Sequence, residues 1–66
     1  MNKVVLTMKP GGVVVSLDGV ELKRVHSVEL LNNDAEHRMF EDDKHNTCCE
    51  IDLNDIKIIF EDGSIL

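Results

Sequence analysis

The dipeptide Asp18-Gly19 constrains this chain more than any other pair of residues. It sits between two runs that alternate apolar and polar side chains, Val13 to Leu17 before it and Val20 to Leu22 after it. A two-residue link of this kind needs positive φ at both positions, which Asp tolerates and Gly favours, so it specifies a type I′ β-hairpin. Asp62-Gly63 repeats the signal later in the chain.

The same alternation recurs along the sequence. From Lys3 to Lys9, Val4, Leu6 and Met8 share one face, while Lys3, Thr7 and Lys9 share the other, with Val5 interrupting the polar set. Pro10-Gly11-Gly12 ends that run. In the next strand Val13, Val15 and Leu17 point inward, and Val14 and Ser16 outward. Val20 to Leu31 reads as strand from its valine content and the lack of a helix cap before Glu21, with a bend or bulge near Lys23–Val25. After Thr47, Cys49, Ile51 and Leu53 point inward against outward Cys48, Glu50 and Asp52. Asn54-Asp55 turns the chain, and Ile56, Ile58 and Phe60 then point inward beside outward Lys57 and Ile59. The polar stretch Asn32 to Asn46 has two readings: a short helix around residues 34–41, capped by Asp34 and holding Met39 and Phe40, or a long hairpin loop. These signals predict one small domain, residues 1–66, of mainly β class. The expected architecture is a five-strand antiparallel meander forming a small sandwich or barrel-like sheet, with the middle stretch open between that short helix and the loop.

Charge is divided unequally. Residues 1–32 carry four cationic and three acidic side chains, a balance of +1, whereas residues 33–66 carry ten carboxylates against Arg38, Lys44 and Lys57, a balance of −7, so the whole chain has a net charge of −6. Nucleic-acid binding needs cations at phosphate spacing and stacking aromatics. With two aromatic residues, Phe40 and Phe60, the chain is expected to bind no nucleic acid. Its apolar runs fall far short of the roughly 20 residues that span a bilayer, and with no long apolar run among the first residues given, no secretory signal is expected. Adjacent Cys48 and Cys49 diverge on a strand, so a disulfide between them would be strained, and reduced thiols and a cytoplasmic setting are expected.

Candidate chemistry is sparse. His37, His45, Cys48 and Cys49, with His26 farther off, are the soft-ligand residues, and a metal or small-molecule site would be built from His37, His45 and Cys48, yet no Cys-x-x-Cys spacing supports zinc. Glu41-Asp42-Asp43 lacks the alternating oxygen ligands and glycine of a calcium loop and reads as solvated. A Cys–His pair is present without a third orienting group, and the glycines mark turns rather than a phosphate cradle. No catalytic residue, cofactor or metal is therefore assigned, and the chain is expected not to be an enzyme. Outward Val14 and Ile59, with the acidic Glu41, Asp42 and Asp43, form the candidate interface.

The run Val13-Val14-Val15-Ser16-Leu17-Asp18-Gly19-Val20-Glu21-Leu22, followed by Val25-His26-Ser27-Val28-Glu29-Leu30, resembles a pattern common in small bacteriophage and prophage proteins. Cys49-Glu50-Ile51-Asp52-Leu53-Asn54-Asp55-Ile56-Lys57-Ile58 is similar to the later strand of the same pattern, which ends in an Asp-Ile step. The resemblance implies a phage accessory protein and carries over no functional residue. The expected function is a non-catalytic interaction module binding a host or phage protein in the bacterial cytoplasm. The alternatives are a metal- or small-molecule-binding protein using His37, His45 and Cys48, and a minor structural virion component. Because a chain of this length buries only about 60% of its unfolded surface, a homo-oligomer is expected, most simply a two-fold dimer.

Overall fold

The computed structural model describes residues 2–66, and in them seven strands follow one another: β1 Lys3–Lys9, β2 Gly12–Leu17, β3 Val20–Glu21, β4 Val25–Leu30, β5 His37–Glu41, β6 Thr47–Asp52 and β7 Ile56–Phe60. One 3-10 turn, Leu53–Asp55, separates β6 from β7, with the Asp52 side chain accepting from the Asn54 N–H at its start. The β2–β3 turn has Asp18 at φ 49° and Gly19 at φ 87°, which meets the type I′ requirement read from the sequence.

All pairings are antiparallel. Five strands form one sheet in the order β3-β2-β1-β6-β5, so β1 lies at its centre, and β4 pairs with β7 in a second, two-stranded sheet. The fold is thus an open two-layer β structure with no closed barrel. Residues opposite one another in a ladder share a face. Three rows of side chains therefore cross the inner face of the larger sheet: Leu17, Val4, Ile51 and His37; then Val15, Leu6, Cys49 and Met39; then Val13, Met8, Thr47 and Glu41.

The second sheet covers the first two rows except at their β5 ends, where His37 and Met39 are exposed. Val4, Val15 and Ile51 below meet Ile56 and Ile58 above, with Leu6, Leu17, Leu22, Val25, Val28, Leu53 and Phe60 packed around them. Strand β4 runs across the larger sheet rather than along it. Its first residues border a recess with Val13–Val15 of β2, and its last, Leu30, borders a recess with His37 of β5. The chain crosses from one sheet to the other at Lys23-Arg24, where Arg24 takes φ 60°. A register shift follows between Val25 and Ser27, so the expected irregularity lies at His26, just past the predicted position.

Residues 34–41 do not form the short helix. They contain β5 instead, and Met39 and Phe40 project from opposite faces of it. Asp34 is not a helix cap, because its own N–H is held by the Asn32 side chain at 3.0 Å, while the Ala35 N–H donates to the Asn32 carbonyl. That local turn uses the groups a helix start would need. The seven strands exceed the expected five because β5 is added and Val20–Leu31 divides into β3 and β4.

Ile58 and Val4 have no exposed surface. In a core almost without aromatics, full burial of one such side chain contributes about 1.5–3 kcal/mol, a large share of a small domain's net stability. Ile58→Ala removes three carbons from a closed site and is expected to cost about 2–5 kcal/mol, whereas Ile58→Val should cost about 0.5–1.5 kcal/mol. Urea denaturation followed by circular dichroism checks both, and equal losses for the two variants would contradict this packing.

Candidate functional site

Two strands cannot cover five. The third inner row is left bare, with Val13 59% and Met8 45% exposed, although both side chains point to the inner side as the alternation required. Met39 and Leu30 are also exposed, on the β5 side of the cover. Beneath them a cleft of about 300 Å³ opens between the sheets, lined by Leu6, Val28, Leu30, His37, Cys49, Ile51 and Ile56. A second recess, of about 450 Å³, lies between Val13–Val15 and the Val25 half of β4, with Lys23 and Arg24 at its rim.

Bare backbone adjoins this bare surface. Antiparallel pairs alternate between those that exchange hydrogen bonds and those whose N–H and C=O point away. The Leu31 N–H donates to the Asp55 carbonyl, which fixes the phase of the β4–β7 ladder. Glu29 and Ser27 consequently bond toward β7, while Val28 and Leu30 turn their backbone groups to the other side. No strand among the described residues lies there. The far edge of β7 is treated differently: Ile65 bridges to Ile59, and the Leu66 N–H donates to the Ile58 carbonyl.

The outer face of the larger sheet carries its own apolar row. Val14, Thr7, Cys48 and Phe40 lie side by side across β2, β1, β6 and β5. Cys48 is only 2% exposed there, with its Sγ 3.6 Å from Thr7 Oγ1 and 3.7 Å from the Asn46 carbonyl. Arg38 caps the row, its guanidinium 4.7 Å from the Phe40 ring centroid and its Nε 3.5 Å from a Glu50 carboxylate oxygen. The alternation rightly turns Cys48 away from the inter-sheet core, but this row buries it on the outer side.

The candidate interface residues scatter over this frame. Val14 is half-buried within the outer row. Ile59 is half-buried opposite Ser27 on the outer side of the small sheet. Glu41 is exposed at the end of β5, and Asp42 and Asp43 belong to the β5–β6 turn. Asp42 holds that turn together, accepting from the Lys44 N–H at 2.9 Å, the Asn46 N–H at 2.8 Å and Asn46 Nδ2 at 3.0 Å. Hydrogen bonding from the Asn46 side chain, then from its backbone, holds the Asp42 carboxyl below its ordinary value. Ser64 does the same for Asp62 in the last hairpin.

The soft-ligand residues are not brought together. His37 stands in the inner row beside Ile51, Cys48 is buried on the opposite face, and His45 sits in the turn at φ 65°. No group of three or more His, Cys, Asp or Glu side chains at metal-binding separation occurs among the described residues. The exposed apolar residues Met8, Val13, Met39 and Leu30 escape a strand-by-strand reading, which assigns them a direction and not a cover. The signal that reveals them is a count of apolar inward positions against the strands available to cover them. No protein-family model matches the chain, and neither does any curated protein or solved structure.

Two measurements check this geometry. N-ethylmaleimide should modify the native chain once, at half-buried Cys49, and reach Cys48 only after denaturation, as read by intact and peptide mass spectrometry. Because the Asp42 carboxyl is held low, its stabilising effect is present above its ordinary value of 3.8 and disappears as pH falls through the lower folded value. Asp42→Asn should therefore melt earlier than the unsubstituted chain at neutral pH, with the difference closing as the solution is acidified below that value. A difference that stays constant across this range would show that Asp42 does not hold the turn as a carboxylate.

Proposed function

We propose that the chain is a non-catalytic interaction module that binds one extended segment of a partner protein along the free edge of β4. The observation that carries this reading is the mismatch between the sheets, five strands below and two above, which leaves Met8 and Val13 bare beside the free backbone groups of Val28 and Leu30. A partner strand supplies what both features lack. Its main chain bonds to the β4 edge, and alternate apolar side chains descend on the Met8/Val13 row. Lys23 and Arg24 share the rim of the recess with Glu21 and Glu61, so that end of the partner segment meets a polar surface of balanced charge.

The similarity of Val13–Leu30 to small phage and prophage proteins supports a phage accessory role, with a host or phage protein of the bacterial cytoplasm as partner. The acidic half of the chain suits this: net charge keeps a protein with an exposed apolar row dispersed until the correct surface arrives.

A photo-reactive benzophenone side chain placed at Val13 tests the surface, with the same group at Asp43 as the control. In bacterial lysate, the Val13 probe should give a discrete adduct that excess unsubstituted chain suppresses and the Val13→Glu variant does not. Equal labelling from both positions would reject the proposal.

A further inference from the structure

We infer that a second copy of this chain pairs with the first along β5, edge to edge about a two-fold axis through Met39, joining two five-stranded sheets into one. This surface is distinct from the β4 edge invoked above, and neither proposal depends on the other.

The backbone sets the register. The Asp42 N–H donates to the Asn46 carbonyl, so along this ladder Phe40/Cys48 and Arg38/Glu50 are the pairs that exchange bonds. The phase from the other side of β6 agrees: the Leu53 N–H donates to the Asn2 carbonyl, which leaves Cys48 and Glu50 free to bond toward β5. His37, Met39 and Glu41 consequently turn N–H and C=O outward, and no strand meets them among the described residues. An antiparallel copy centred on Met39 places Met39 opposite Met39, and His37 opposite Glu41 on both sides of the axis. Each residue with outward backbone groups then faces another, and every one of those groups finds a partner.

The side chains match in the same register. On the inner face an imidazole meets a carboxylate twice, and the exposed Met39 side chains meet at the axis. On the outer face Arg38 falls opposite Phe40, which extends the cation–aromatic contact already made within one chain. A shift of two residues that centres the axis on His37 or Glu41 instead sets like groups against each other. At the ladder ends Glu36 and Asp42 fall opposite, but the Asp42 carboxylate is turned into its own loop by Lys44 and Asn46. The opposing influence is the charge of −6 on each chain, which physiological salt screens beyond about 8 Å.

β5 carries few of the devices that usually protect a sheet edge: Arg38 and the inner-face Glu41 are charged, but in this register each has a partner group opposite it. It has no proline, no bulge and no lysine, and it is five residues long beside a two-residue edge, β3, at the other end of the sheet.

Sedimentation equilibrium on the full chain tests the inference. The unsubstituted protein should be dimeric at tens of micromolar. His37→Glu alone, which opposes two carboxylates at each end, should make it monomeric, as should Met39→Lys, which puts two ammonium groups at the axis. Adding Glu41→Lys to His37→Glu should restore the dimer. Val13→Glu, which lies on the other surface, should leave it intact. Circular dichroism confirms that each variant is folded, and amide exchange at Met39 and Glu41 in the unsubstituted chain should slow as concentration rises. A monomeric unsubstituted protein, a dimer indifferent to His37→Glu, or exchange at these amides independent of concentration would each overturn the inference without touching the β4 proposal.

Discussion

Everything in this molecule hangs on a small aliphatic contact, the meeting of Val4, Val15 and Ile51 from one sheet with Ile56 and Ile58 from the other. No ring system anchors it from within, and Phe60 joins only at its margin. The covering pair is placed where a few branched side chains can be closed off completely, and Ile58 and Val4 reach full burial. The rest of the inner surface then has to be left open, because covering it would take strands the chain does not have. The exposed apolar row, the clefts and the free edge of β4 are therefore consequences of how this core was closed rather than separate features.

The outer face shows a second way of burying an apolar side chain. Cys48 loses nearly all contact with solvent on this face, where Thr7 and Phe40 are its ladder neighbours and its Sγ lies near the Asn46 carbonyl. Arg38 closes over the ring with its own charge still bound to Glu50. Long side chains lying flat along a sheet exclude water as a packed layer does. Val14, which looks out of place on the polar side of its strand, belongs to this row.

The fold was legible where local chemistry and tertiary packing agree. Asp18-Gly19 took the positive φ values its turn needs, and the period of two correctly oriented Val4, Leu6, Val15, Ile51, Ile56 and Ile58. It was not legible where neighbours decide. His37 to Glu41 has no strong strand signature of its own and becomes a strand because β6 offers a ladder and Asp42 closes the turn between them. Orientation was also read more successfully than cover: Met8 and Val13 face inward and remain wet, whereas Cys48 faces outward and is dry. Direction follows from the pleat of one strand, but cover follows from how many strands pack above it, which no single run of residues encodes.

The central place of β1 bears on how the chain is made. β1 and β2 are joined by a short turn and can pair as soon as both have left the ribosome, but the other side of β1 waits for β6, more than half the chain later. Through that interval the nascent hairpin exposes the edge that will become the middle of the sheet, along with the inner faces of Val4 and Leu6. Such long-range pairing is slow, and exposed strand edges are where chains associate wrongly. Lys3 and Lys9 at the two ends of β1 flank its apolar run with charge, in the manner of the gatekeeper residues that discourage premature stacking. The same lysines thus guard, during synthesis, an edge that the finished protein no longer has.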